Sequence, residues 1–287
     1  MVDDALRFTS AADGMPIQGY AWRCAATPRG AVVIAHGAAE HARRYERFAR
    51  ALNDAAFVVY ALDHRGHGQS QGPEGLGDFG EGGWDALVAD LAQWIAIVRA
   101  ARPGLKTALF GHSMGSFAAQ QYCVSHEVAI DALVLSGSTA LELPSPEAPR
   151  GRWQPNAAFG AVRTPYDWLS RDPGEVDRYI EDPLCGFEAA GERRRSMRPT
   201  GMEWFTEPAL LARIPSALPV LLLAGDADPV NRKLEGLHLL AERWRDAGVR
   251  RIDERYYAEG RHEMLNEINR DEVTRDVIAW LSDALFP

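Results

Sequence analysis

Short apolar runs recur along this chain, and segments with helical spacing separate them. Runs of this length without polar alternation are typical of strands that are buried on both faces of a mostly parallel sheet. Between two of the runs, the apolar residues of 84–99 repeat with the helical period, and the pattern stops at Arg102-Pro103-Gly104. The sequence therefore predicts an α/β fold in which helices connect parallel strands. The runs are residues 31–35, 57–62, 107–110, 132–135 and 220–224, together with 252–257, a β-like run that carries three charged residues.

Both ends of the sequence carry further patterns. Residues 6–9 and 17–22 are β-like runs on either side of Asp13-Gly14, a turn signal, which predicts an antiparallel hairpin at the edge of the sheet. In the last fifteen or so residues, apolar side chains recur every four positions, so we expect an amphipathic helix packed on the sheet. These side chains are Val273, Val277, Leu281 and Leu285.

The stretch from 138 to 205 interrupts the alternation of strands and helices with eight prolines. A long disordered loop would explain the prolines, but three tryptophans in the same stretch favour burial. We therefore predict an ordered cap at 138–205, inserted into a core that consists of residues 1–137 and 206–287.

Charge and composition narrow the classes of partner. The net charge of −9 disfavours a nucleic-acid partner, because phosphate binding depends on clustered Lys and Arg.

The first residues lack a cationic start followed by an apolar run, so we expect a cytoplasmic protein. Apolar runs such as 220–224 are far shorter than the ~20 residues that span a bilayer. The cysteines, Cys24, Cys123 and Cys185, form no disulfide or metal-ligand pattern.

A serine between two glycines carries the clearest chemical signal. Gly111-His112-Ser113-Met114-Gly115 follows the run at 107–110 and precedes a segment of helical character. This arrangement is typical of a nucleophile elbow, in which a sharp strand-to-helix turn holds the serine hydroxyl out over the sheet. Glycines two positions before and after the serine leave room for neighbouring backbone. We therefore predict that Ser113 is a nucleophile.

A serine nucleophile needs a base that accepts its proton. In folds with an elbow of this kind the acid and then the histidine follow the serine along the chain. His262 follows the last predicted strand, whereas His126 and His238 lie at the end of or within helical patterns. We predict that His262 is the base.

The acid must hold the histidine in one tautomer, and two aspartates compete for this role. Asp226 and Asp228 both follow the run at 220–224. The ring of Pro229 would stiffen the loop end beside Asp228, whereas Asp226 could accept hydrogen bonds from amides of the turn. Asp228 is the favoured acid, and Asp226 is the alternative.

Preplaced donors must also meet the negative oxygen of a tetrahedral intermediate. The first expected donor is the backbone N–H of Met114, directly after the nucleophile. The second should come from the loop after the run at 31–35, where we predict the N–H of Ala38. His36, His41, His64 and His67 lack a matching set of metal ligands, so neither a metal nor a cofactor is predicted.

Taken together, these motifs resemble the monoacylglycerol lipase and lysophospholipase branch of the α/β-hydrolases, which includes bacterial members. The resemblance implies an α/β-hydrolase fold, Asp228 as the acid, oxyanion donors at Ala38 and Met114, and a helical cap that shapes an acyl-chain pocket. It rests on residues 36–41 with Tyr45, on residues 63–72, on residues 111–115, and on residues 225–229 with His262.

From the resemblance we expect a serine hydrolase that cleaves single-chain lipid esters, with the cap making transient contact with a membrane surface. Candidate acyl-pocket residues are the cap aromatics Trp153, Trp168, Trp204 and Phe205. A carboxylesterase for short or xenobiotic esters is the alternative within enzymes. An alternative of another class is a small-molecule receptor that keeps the fold and hydrolyses slowly.

Overall fold

The computed structural model describes residues 4–141, 154–189 and 202–287. These residues form an eight-stranded sheet in the order β1-β2-β4-β3-β5-β6-β7-β8. The β1–β2 and β2–β4 pairs are antiparallel, and the other five pairs are parallel. The strands are β1 (Asp4–Thr9), β2 (Pro16–Trp22), β3 (Gly30–Ala35), β4 (Phe57–Leu62), β5 (Lys106–His112), β6 (Ala132–Ser136), β7 (Val220–Gly225) and β8 (Ile252–Tyr257).

This sheet confirms the α/β fold expected from the apolar runs. Each of the six runs lies in one of the strands β3 to β8, and the hairpin at the sheet edge is β1 with β2. Strands β3, β4 and β7 are buried along their whole length, which explains why their sequences show no polar alternation.

Helices cover both faces of the sheet, and successive residues of a strand point to opposite faces. The helices of the described residues are α1 (Glu46–Asp54), α2 (Gly83–Ala101), α3 (Met114–Ser125), α4 (Pro173–Glu181), α5 (Pro208–Leu211), α6 (Glu235–Asp246) and α7 (Arg270–Leu285). In β3, for example, Val33 belongs to the buried cluster that contains side chains of α2, α3 and α6, whereas Val32 belongs to the cluster that contains side chains of α1 and α7.

The described part of the predicted cap consists of α4 and single-turn helices, and it contacts the core through polar side chains. Arg47 of α1 pairs with Glu175 of α4 at 2.6 Å. Arg171 pairs at 2.9 Å with Glu267, a carboxylate with no exposed surface. The boundaries 138–205 stay a prediction. Among the described residues, no helix is long and apolar enough to cross a membrane.

The ends of the parallel strands determine where the candidate site lies. Ser113 follows β5, and the loop at 36–41 follows β3. Asp228 follows β7, and His262 follows β8. Since parallel strands end at one edge of a sheet, all four segments meet at the carboxyl edge, where open α/β sheets bind ligands.

Candidate active site

Ser113 lies on the sharp turn between β5 and α3. Its backbone angles are φ 50° and ψ −119°, a conformation that L-residues rarely adopt. A Cβ on Gly111 would lie 2.6 Å from the carbonyl oxygen of Gly115, and one on Gly115 would lie 2.1 Å from the carbonyl oxygen of Ala35. Only glycine therefore fits at both positions, and the close approach brings the start of α3 against the end of β3.

His262 and Asp228 form a buried pair. Nδ1 of His262 donates a hydrogen bond to Oδ2 of Asp228 at 2.9 Å, and the two residues are 2% and 1% exposed. Oδ1 of Asp228 accepts from the N–H of Val230. Asp226 instead accepts from the N–H of Glu259 at 2.7 Å. The structure thus brings Asp228, and not Asp226, to the histidine.

The protonation of His262 follows from this pairing. Burial lowers the pKa of His262, but the charge and the hydrogen bond of Asp228 outweigh burial and raise the pKa above its ordinary value. His112 lies beside it, with 4.7 Å between the ring centroids. Burial, together with the nearby His262, lowers the pKa of His112 to about 4, so this second imidazole is neutral.

The loop after β3 lies against Ser113. A Cβ on Gly37 would stand 3.2 Å from Cβ of Ser113, so the loop backbone reaches the serine itself. Met114 is the first residue of α3, and the first N–H groups of a helix have no partner within the helix. The predicted oxyanion donors, Ala38 and Met114, therefore belong to two segments that meet beside Ser113.

A cavity of about 650 Å³ lies above these residues, and both Ser113 and His262 line it. Its wall is mostly apolar, as expected for a site that binds the hydrocarbon part of a ligand. The apolar and aromatic side chains of the wall are Phe117, Leu141, Pro155, Pro165, Tyr166, Trp168, Leu169, Tyr179, Phe187, Pro229 and Val230.

The predicted acyl-pocket aromatics that the structure describes lie in two different places. Trp168 lines the cavity, and its ring centroid lies 4.8 Å from that of His262. Trp204 and Phe205 contact each other with tilted rings and belong to the buried core on the α2, α3 and α6 face of the sheet. Trp153 lies outside the described residues. Only Trp168 of the described three is a wall residue of this cavity.

A buried cluster of charges beneath the site was not predicted. The guanidinium of Arg44 pairs with Glu40 at 2.6 Å and with Glu263 at 2.7 Å, and their side chains are 11%, 3% and 7% exposed. Glu263 directly follows His262, and Glu40 ends the loop that approaches Ser113. Residues 36–41 carried the resemblance, but nothing in the spacing of the sequence indicates that Arg44 pairs with Glu263, 219 residues further along the chain.

One group of metal-ligand types occurs in the part of the chain that the structure describes. His41, Asp182 and Cys185 place ligand atoms within 4.8 Å of one another. Nε2 of His41 is hydrogen-bonded to Oδ2 of Asp182 at 2.8 Å, so these two side chains already satisfy each other. Burial raises the pKa of the Cys185 thiol, which disfavours the thiolate that a metal needs.

The sheet topology and the serine at the elbow define an α/β-hydrolase. The chain belongs to the family described as serine aminopeptidase, S33, whose model matches residues 26–269.

Curated relatives include two lipases that align over most of the chain. A monoacylglycerol lipase of Mycolicibacterium smegmatis is 32% identical over 91% of this chain and 90% of its own length. The human monoglyceride lipase is 29% identical over 94% of this chain and 88% of its own length.

Solved structures give the same assignment. A thermostable carboxyl esterase from Bacillus coagulans superposes with a TM-score of 0.87 at 27% identity, and the match covers 99% of each chain. The monoacylglycerol lipase of Paleococcus ferrophilus has a TM-score of 0.69 at 26% identity, covering 93% of this chain and 99% of its own. The protein is accordingly a carboxylic ester hydrolase.

Proposed function

We propose that this enzyme hydrolyses single-chain lipid esters, above all monoacylglycerols, through an acyl-enzyme on Ser113. The observation that carries the proposal is the Asp228–His262 pair, which lies on the same mostly apolar cavity as Ser113. The names of the aligned lipases from Mycolicibacterium smegmatis and human support the choice of substrate.

In the proposed mechanism, Nδ1 of His262 is engaged by Asp228, so Nε2 is the nitrogen that accepts the Ser113 proton. The serine oxygen attacks the ester carbonyl, and the N–H groups of Ala38 and Met114 bind the oxyanion of the tetrahedral intermediate. His262 then protonates the oxygen of the departing glycerol, and the fatty acyl group stays on Ser113 as the acyl-enzyme. A water molecule, deprotonated by His262, releases the fatty acid and restores the serine.

The decisive experiment compares fatty-acid release from a long-chain monoacylglycerol, a lysophospholipid of the same acyl chain and a short-chain ester. Wild type should cleave the monoacylglycerol best, and Ser113→Ala should abolish the activity. Ser125→Ala is the matched control, because it makes the same substitution at the exposed far end of α3. Equal activity of Ser113→Ala and Ser125→Ala would remove Ser113 from the mechanism.

A carboxylesterase for short acyl chains is the second candidate, and the superposition with the Bacillus coagulans carboxyl esterase favours it. A rate that falls steeply as the acyl chain lengthens would establish this alternative. If Ser113 does not react with a fluorophosphonate probe in the folded protein, the chain is instead a binding protein on the same fold.

We also propose that the cap contacts a membrane surface. The cytoplasmic location of the protein stays a prediction. Val162 and Ile180, both in the described cap, are 41% and 46% exposed, so they offer apolar surface to a membrane. Sedimentation with vesicles that contain monoacylglycerol tests this contact. Recovery of all the protein in the supernatant would contradict it.

A further inference from the structure

The peptide groups on both sides of Gly37 are held by buried side chains that belong to the same loop. On one side, the N–H of Gly37 donates to Oε1 of Glu40. The same carboxylate accepts from the hydroxyl of Tyr45 at 2.8 Å and from Arg44 at 2.6 Å. Three donors, one from each neighbour, therefore fix the Glu40 carboxylate, and Glu40 fixes the first peptide group.

On the other side, the imidazole of His36 holds the carbonyl of Gly37. Its Nε2 lies 2.9 Å from the backbone nitrogen of His64, and its Nδ1 lies 2.7 Å from the carbonyl oxygen of Gly37. A backbone N–H can only donate, so Nε2 must accept and the proton of the neutral ring must be on Nδ1. Complete burial lowers the pKa of His36 well below its ordinary value, which keeps the ring neutral.

The carbonyl of Gly37 and the N–H of Ala38 belong to one planar trans peptide, so they point in opposite directions. We infer that His36 and Glu40 are positioning residues for the oxyanion hole. His36 pulls the Gly37 carbonyl away from the cavity, and the Ala38 N–H is thereby turned towards it. Glu40 prevents the preceding peptide from rotating. The inference rests on the proposed function, because it assumes that Ala38 donates to the oxyanion.

Local packing supports this role over a purely structural one. A Cβ on Gly37 would stand 2.7 Å from Oε1 of Glu40, so the carboxylate lies directly against the backbone that it holds. Burial raises the pKa of Glu40, but Arg44, the Gly37 N–H and the Tyr45 hydroxyl outweigh it, and the pKa lies below its ordinary value. The acceptor is therefore ionised at neutral pH, which strengthens its bond to the amide.

The test compares conservative and disruptive variants at both positions. Glu40→Gln keeps an acceptor oxygen for Gly37, and Glu40→Ala does not. His36→Asn keeps a donor near the position of Nδ1, and His36→Leu does not. The matched control is Asp90→Asn. Asp90 lies on α2, is 1% exposed, and pairs through its carboxylate with Arg65 at 2.8 Å.

Two properties are measured. The first is hydrolysis of a short activated ester, as KM and as kcat per active site, with the active sites counted by complete fluorophosphonate labelling. The second is the affinity for a trifluoromethyl ketone. That ketone forms an oxyanion on Ser113. Loss of an oxyanion donor costs about a hundredfold to a thousandfold in rate, so a misdirected donor should lower kcat about tenfold to a hundredfold. KM should change little, and ketone affinity should fall in parallel with kcat/KM.

We expect Glu40→Ala and His36→Leu to show this loss, and Glu40→Gln and His36→Asn to show a smaller loss relative to Asp90→Asn, because each keeps only a weakened form of the hydrogen bond. If the disruptive variants do not fold, a kcat in the conservative variants equal to that of Asp90→Asn overturns the inference. The same conclusion follows if ketone affinity is unchanged in any folded disruptive variant. The assay uses a short ester, so it does not depend on monoacylglycerol being the substrate. A failure to cleave monoacylglycerol, which would contradict the proposed function, is thereby distinguished from a failure of the inference about His36 and Glu40.

Discussion

Gly137 lies directly against the imidazole of His262: a Cβ at position 137 would stand 2.9 Å from Cε1 of that ring and equally close to Cε1 of His112. The backbone of Gly137 also has φ +56°, a conformation that alanine adopts at a cost of about 1–2 kcal/mol. We therefore expect Gly137→Ala to displace His262 and to lower kcat/KM about a hundredfold, as misplacements of about 1 Å do.

The control for backbone strain alone is Gly14→Ala. Gly14 has φ +82° in the β1–β2 turn, and a Cβ there would meet no atom within 4 Å. Thermal unfolding should show a similar backbone cost in both variants, and ester hydrolysis should be lost only in Gly137→Ala. Full activity of folded Gly137→Ala would show that His262 tolerates the added methyl group.

The pH dependence of kcat/KM should follow the ionisation of His262. Only the neutral imidazole accepts the Ser113 proton, so activity should fall as the pH decreases through the pKa of His262. Asp228 raises that pKa, and the acid limb should thus lie above the ordinary histidine value of about 6.5. His112, with its pKa near 4, stays neutral over this range.

Asp228→Asn should move the acid limb to lower pH, because it removes the charge that stabilises the imidazolium. The rate should also fall by about ten-thousandfold, as it does in serine-protease triads, because an asparagine amide holds the histidine in the wrong tautomer. The rate of fluorophosphonate labelling against pH measures both effects when turnover is too slow. An acid limb in the wild type at or below the ordinary histidine pKa would contradict the assignment.

Trp168 and Trp204 should respond differently to truncation. Trp168 lines the cavity beside His262, so Trp168→Ala should lower kcat/KM for long-chain esters about tenfold, or about 1.4 kcal/mol. Trp204 is 6% exposed in the core, so Trp204→Ala should lower the free energy of unfolding by about 3–5 kcal/mol. Activity per folded molecule should be unchanged in Trp204→Ala. If Trp204→Ala instead lowered kcat/KM for long-chain esters and left the free energy of unfolding unchanged, Trp204 would contact the acyl chain.

Arg44 should contribute more to stability than a surface arginine. Arg44→Met leaves the buried carboxylates of Glu40 and Glu263 without their shared partner, at a cost of about 3–5 kcal/mol. Arg251→Met is the control, since Arg251 pairs with Asp253 and Asp283 while 38% exposed, and such pairs contribute about 0–1 kcal/mol. Urea denaturation measures the free energy of unfolding of both variants. Equal denaturation midpoints for Arg44→Met and Arg251→Met would show that the buried carboxylates find other partners.

Local patterns in the sequence account for the strands and for the elbow. A strand buried on both faces must be apolar along its length, so β3, β4 and β7 are visible as uninterrupted runs. Gly111 is likewise required by a local backbone contact, since a Cβ there would meet the carbonyl of Gly115. These features depend on residues that are near one another in the chain, which is why the sequence determines them without a structure.

Other features depend on residues that only folding brings together. The sequence favours Asp228 over Asp226, but only the approach of the loop after β8 decides which of them meets His262. An aromatic side chain can line a cavity or fill a core, so Trp168 and Trp204 look alike before folding. Arg44 pairs with Glu40 and also with Glu263, which lies 219 residues further along the chain than Arg44. The sequence by itself determined the scaffold and the reactive residue types, and the tertiary structure decided their partners, because long-range contacts leave no local periodicity.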